Sequence, residues 1–200
     1  MQQQTQHVKS VLADPTPLGL AGLAMVTLVA SSSKLGITEG TSLVIPWAIF
    51  LGALAQLLAG YLDFKHNNLF GAIAFSLYGF FWLGVGSSWM ITHGLFGESM
   101  QSSADISQLG FGFLGYFILS VIITVAAFRT TTFLAIIMIF IDILLLGLTM
   151  DTLGFGGYWH SIAAWSELII SIMSFYGCAA AFLNKMYDRI ILPVGGPICK

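Results

Sequence analysis

Seven basic residues share this chain with six long apolar runs, and their placement constrains the fold more than any motif does. The runs cover roughly residues 17–33, 43–62, 69–91, 109–128, 133–150 and 161–183. Each is almost free of charge and long enough, at about 1.5 Å per helical residue, to cross a hydrocarbon core of about 30 Å. Six crossings return both termini to one side. Lys9, Lys65, Arg129, Lys185, Arg189 and Lys200 then fall on that side, and only Lys34 on the other. Basic residues mark cytoplasmic loops, so the pattern predicts an all-α, multi-pass protein of the cell membrane with six transmembrane helices and both ends cytoplasmic.

Charged residues make up 8% of the chain and mean hydropathy is +0.90, which excludes an ordinary soluble domain. The expected organisation is a cytoplasmic N-terminal segment (1–16), a six-helix transmembrane domain (17–183) and a cytoplasmic C-terminal tail (184–200). The polar start MQQQTQHVKS lacks a basic region followed by an apolar core, so no cleaved leader is expected. Trp47, Trp89 and Trp159 fall at outer ends of runs, where amphipathic rings favour the interface. Glu39, Glu98, Asp105 and Asp151 give the outer loops an acidic cast. Cys178 lies inside the sixth run and Cys199 in the tail, a separation in depth that argues against a disulfide. A net charge of −2 gives no footing for nucleic acid.

The first run opens Asp14-Pro15-Thr16-Pro17-Leu18-Gly19-Leu20. One reading is an ordinary helix start, with a proline pre-organised in the first turn and Asp14 or Thr16 accepting from unpaired amides. The other is a helix end held open for an anion at its positive pole. The segment resembles the NPAPLGL signature of the acetate uptake transporter family, also called the succinate–acetate permeases. The likeness continues through Gln56-Leu57-Leu58-Ala59-Gly60, Asp63-Phe64, Asn68-Leu69-Phe70-Gly71, Ser76-Leu77-Tyr78-Gly79-Phe80-Phe81-Trp82 and Leu192-Pro193-Val194-Gly195. It implies a six-helix protomer, a hexameric ring, and in each protomer a pathway for small monocarboxylates, chiefly acetate and also succinate. It implies an entrance formed by Asp14, Pro15, Pro17, Leu18 and Gly19, with Gln56, Asn68 and Trp82 along the pathway. Tyr78 corresponds to the tyrosine of the family's apolar constriction, Leu23 stands in place of its aromatic partner, and a third member is expected from the fifth run near Met138. Asp14 and Thr16 replace the signature Asn and Ala, Leu23 replaces a Phe, and Asp63 replaces a Glu.

The residues agree in part. Phe75, Tyr78, Trp82 and Trp89 share a helical stripe, which is core, lipid face or pore lining. Gln56 is either an interhelical hydrogen bond or a donor to a passing carboxylate, and Asn68 is a natural helix cap.

Asp142 and Glu167 are the acids well inside the runs, about 12 Å and 10 Å from the outer ends by helical rise. An ionisable group at such depth is a functional hypothesis in itself. Glu167 belongs to a stripe of His160, Ala164, Ser171, Ser174, Cys178 and Ala181, too small and polar to face lipid. With no basic residue inside any run, the two acids are expected either to form a shared proton site that couples uptake to proton entry, or to be hydrogen-bonded structural groups. His93 and His160, near the outer face, are either pH sensors or ordinary loop residues.

A second transport reading is a channel for small neutral solutes such as urea or short amides, which also needs no intramembrane cation. An enzyme is disfavoured by the lack of zinc spacing and of a Ser/His pairing at one depth. No cofactor or metal is expected. The expected partners are acetate and related small carboxylates, membrane lipid and further copies of the chain.

Overall fold

The computed structural model describes residues 12–199, which leaves Lys9 and Lys200 outside it. Six helices are long and apolar enough to cross a membrane: α1 (Thr16–Lys34), α2 (Val44–His66), α3 (Leu69–Thr92), α4 (Ile106–Ala127), α5 (Thr132–Thr152) and α6 (Tyr158–Met186). A one-turn helix, Glu98–Ser102, interrupts the longest loop. Each predicted run coincides with one helix, and the helix ends fall within a few residues of the expected bounds. The sixth continues past residue 183, so the boundary expected at 183/184 lies inside α6.

In lipid every backbone N–H and C=O needs a partner within the protein, so the polar groups at helix ends have to be capped. Asn68 caps α3 by accepting from the Gly71 N–H at 3.3 Å, Asp105 caps α4 through Ser107 N–H, and Thr131 caps α5 through Leu134 N–H. Left-handed Asn67 (φ 58°) ends α2 and reverses the chain into α3 within two residues. The C-terminal segment closes the same end of the bundle. Its Val194 and Gly196 carbonyls accept from the first amides of α5, and Tyr176 and Asn184 side chains bond Pro193 and Leu192 carbonyls. The Leu192–Gly195 motif is therefore a cap for α5 and a strap along α6.

The centre of α2 departs from the regular helix expected. Residues Ala48–Ala55 form a π-helix, a wider turn whose altered register leaves carbonyls without their usual partners. One of them, Gly52 O, accepts from Gln56 Nε2 at 2.8 Å. The opposite side of Gly52 receives the indole of Trp82, so close that a Cβ there would sit 2.7 Å from Trp82 Cγ. The α1–α6 pair is the most extensive contact in the bundle. Its seam is built from the small polar stripe of α6: Ala164, Glu167, Ser171 and Ser174 are all buried, and Ser171 donates to Ala24 O at 2.9 Å.

Gly52→Val forces a branched side chain into Trp82 and is expected to cost about 1–3 kcal/mol by overpacking, read as a lower midpoint of thermal unfolding in detergent.

Candidate functional site

Both ends of the described chain lie at one end of the bundle, here the terminal end: His66 Nε2 donates to Leu12 O there, and the C-terminal strap lies beside it. A narrow cavity of about 60 Å³ sits in that half, between α1, α2, α3 and α5. Leu23, Tyr78 and Met138 line it together with Ile141, so the structure brings the three expected constriction residues to one place. Thr16, Gln56 and Asn68 supply its polar groups. Gln56 is fully buried, and with Nε2 held by Gly52 O its Oε1 is left without a partner. Asn68 caps α3 with its oxygen and donates Nδ2 to Asp63 Oδ1 at 3.0 Å, which fixes Asp63 beneath the cavity.

Other expected pathway residues lie elsewhere. Asp14 accepts from Thr16 N–H at 2.9 Å, as a helix-start residue does, and lies with His66 and Lys185 around a separate surface cleft. Pro15 is buried and its carbonyl accepts from Leu18 and Gly19 amides, while Pro17 occupies the first turn of α1. Leu18 points outward at 40% exposure, and Gly19 lies under the Phe75 ring, where a Cβ would clash. Trp82 is 3% exposed and packed against Gly52 and Phe81, not in the cavity wall. The entrance motif thus contributes Thr16 and Leu20 to the cavity wall, and not Asp14, its prolines, Leu18 or Gly19.

At the opposite end a larger cleft of about 630 Å³ opens between α3, α4 and the loop joining them. Its floor includes Phe81, Phe113 and Tyr116, which form a ring cluster with Phe81 centroids 5.8 Å and 5.1 Å from the other two. Tyr78 of the inner cavity and Phe81 of the cleft are about one helical turn apart on α3.

A polar chain leads away from Tyr78 to α4 and α5, through residues that line neither space. Tyr78 donates its hydroxyl to Ser120 Oγ at 2.8 Å, Ser120 donates to Asp142 Oδ1, and Thr124 donates to Asp142 Oδ2 at 2.7 Å. Met138 Sδ lies 4.0 Å from the same phenol oxygen. The sequence reading had Asp142 but not its partners. Ser120 and Thr124 are four apart on α4, a spacing that presents two hydroxyls on one helix face.

The shared proton site expected of Asp142 and Glu167 is not present, because each acid has its own partner. Glu167, 1% exposed, forms an ion pair with Lys34 at 2.8 Å. The expectation that no cation reaches into the spans fails for a physical reason: Lys34 is the last residue of α1, and its long chain turns back along α6 to the acid. Above the pair, His160 bridges Asp151 Oδ2 (2.9 Å) and Lys34 O (3.0 Å). Both ring nitrogens face acceptors, so this residue ties α1, α5 and α6 together at the outer end. His93 bonds Thr41 Oγ1 in a loop.

The profile of the GPR1/FUN34/yaaH family matches residues 1–195. The chain belongs to that family. It is 27% identical to the "Succinate-acetate/proton symporter SatP" of Escherichia coli strain K12 over 92% of this chain and 96% of the relative. It is 31% identical to "Acetate permease A" of Emericella nidulans over 91% of this chain and 65% of that longer protein. A solved structure of the bacterial acetate channel SatP superposes with a TM-score of 0.85 at 25% identity, covering 92% of this chain and 100% of that one. The protein is accordingly a multi-pass membrane protein of a transporter family.

Lys34→Met strands the buried Glu167 charge and is expected to lower stability by about 3–5 kcal/mol, whereas Lys34→Met combined with Glu167→Leu recovers most of that loss; thermal unfolding of the single and double variants checks both.

Proposed function

We propose that this protein carries small monocarboxylates, chiefly acetate, and also the dicarboxylate succinate, across the cell membrane through a pathway in each protomer, as a permease or anion channel and not as an enzyme. The observation that carries the reading is the cavity of about 60 Å³ whose far wall is Leu23, Tyr78 and Met138, in a chain whose relatives bear the names of acetate transporters. That volume is about twice the share of one liquid water and suits a solute of a few heavy atoms. Gln56 supports the same assignment: its free oxygen accepts from a protonated acid, and the second hydrogen of its amide donates to a carboxylate. Beyond it the apolar neck admits a small solute without binding it tightly, as rapid passage requires.

Lys65, Arg129, Lys185 and Arg189 lie at the terminal end and Lys34 at the other, which supports a cytoplasmic position for both termini. In that orientation the segment before residue 17 and the tail after α6 are cytoplasmic, and the inner cavity opens toward the cytoplasm. A hexameric ring is supported by Gly115 of α4, which is exposed and where an added Cβ would meet nothing within the protomer, so a neighbouring helix has close access there.

Purified protein in liposomes is expected to take up labelled acetate above a protein-free control measured at the same pH, with excess urea leaving uptake unchanged; competition by urea without acetate uptake would instead make this a neutral-solute pore. Leu23→Trp, which fills the cavity beside Tyr78, is expected to return acetate flux toward the protein-free level while the protein remains folded.

A further inference from the structure

The chain Tyr78–Ser120–Asp142–Thr124 links the wall of the inner cavity to a half-buried acid, and its direction is determined by the charge on that acid. A carboxylate can only accept. With Asp142 ionised, Ser120 and Thr124 both point their hydrogens at it, and the oxygen of Ser120 is left to receive the hydrogen of Tyr78. The phenol then turns lone pairs toward the cavity. Those lone pairs face the site where a carboxylate must pass, and they repel it.

One proton reverses the chain. When a proton from the aqueous phase bonds to Asp142 Oδ1, the new O–H donates to Ser120 Oγ, and Oδ2 still accepts from Thr124. Ser120 keeps its own hydrogen but rotates it toward Tyr78 oxygen. Tyr78 also keeps its hydrogen, which is now released from Ser120 and has only the weak acceptor Met138 Sδ, 4.0 Å away, or a solute in the cavity. The only bond made is Asp142 O–H, and the other two hydrogens merely turn. We infer that Asp142 is a positioning residue for the constriction: through Ser120 it determines whether Tyr78 presents lone pairs or a hydrogen to a passing carboxylate. The inference rests on the proposal that carboxylates traverse the inner cavity.

The surroundings leave Asp142 free to play this part. The titratable side chains at membrane depth on the helices packed against α5 are Tyr78 of α3, Tyr116 of α4, and Glu167, Tyr176 and Cys178 of α6. Glu167 is paired with Lys34, and no Lys, Arg or His among the described residues forms an ion pair with Asp142. Toward the ends, Arg129 lies in the turn between α4 and α5, Lys185 in the last turn of α6, and His160 and Asp151 pair with each other.

The test is acetate flux into proteoliposomes from mildly acidic to neutral pH, with the protein-free flux subtracted at each pH and rates expressed per ionised acetate. Wild type is expected to pass more acetate as pH falls. Asp142→Asn, whose amide donates to Ser120 and accepts from Thr124, holds the reversed direction permanently. It is expected to be flat with pH and about tenfold faster than wild type near neutrality, the scale of one hydrogen bond to a charged group. Ser120→Ala frees Tyr78 by a different route and is expected to flatten the profile as well, so the inference does not depend on one variant folding. A wild-type profile that is flat, or variants that keep the wild-type pH dependence while transporting acetate, would overturn it and leave the transport reading intact. Absence of any protein-dependent acetate flux in wild type would overturn both.

Discussion

Little water reaches the middle of a bilayer, so a polar atom there gains most from a partner within the protein or from a space that admits solute. That constraint organises this molecule. Ser171 bonds a backbone carbonyl of α1, Lys34 neutralises Glu167, and Ser120 and Thr124 satisfy Asp142. Gln56 spends one amide hydrogen on the π-helical turn of α2 and keeps an unsatisfied oxygen. Asp63 Oδ2, Trp159 Nε1 and Ser174 Oγ also lack a partner, but of these four residues only Gln56 lines the inner cavity. A buried amide oxygen without a partner is costly in a sealed core and useful where a solute or water arrives to fill it.

The sequence is most legible where the physical signal is local. Apolar length alone places the six helices, and the small polar stripe of α6 correctly turns its face from lipid toward α1. Motif likeness brings Leu23, Tyr78 and Met138 to one cavity, although Met138 rests on the loosest part of that likeness. What the sequence hides is side-chain reach and partnership across distant segments. Lys34 and Glu167 are 133 residues apart, and nothing local says that a helix-terminal lysine will lean inward and not out to the interface. Ser120 and Thr124 look like unremarkable hydroxyls in an apolar helix until Asp142 is placed opposite them. The π-helical turn is similarly silent, since its residues (Ala48–Ala55) have the same apolar character as an ordinary span.

The opening DPTPLGL illustrates a different gap. A helix N-terminus with two prolines invites an anion, yet the structure uses Asp14 to cap the first amides and Pro15 O to start the helix, while Gly19 gives room to Phe75. The motif's role here is to set α1 at the right height and closeness, so that Thr16, Leu20 and Leu23 line the cavity. Residues that shape a pathway need not touch what passes through it.

The two buried acids serve opposite ends of this design. Glu167 has a full countercharge and belongs to the α1–α6 seam, where an unpaired charge would weaken the bundle. Asp142 has hydroxyl partners only, and hydroxyls can reverse their bonds by rotating without any atom leaving its place. An ion pair fixes one arrangement, whereas a chain of hydroxyls ending on an acid has two of similar geometry, selected by one proton. Because Tyr78 is the last member of that chain and also lines the inner cavity, on the proposed pathway the choice would be felt by the solute there. The aromatic partner that Leu23 replaces would have added bulk to that wall but no hydrogen bond. Of Leu23, Tyr78 and Met138, only Tyr78 brings a hydroxyl to the cavity wall, and through Ser120 it is bonded to the acid behind it.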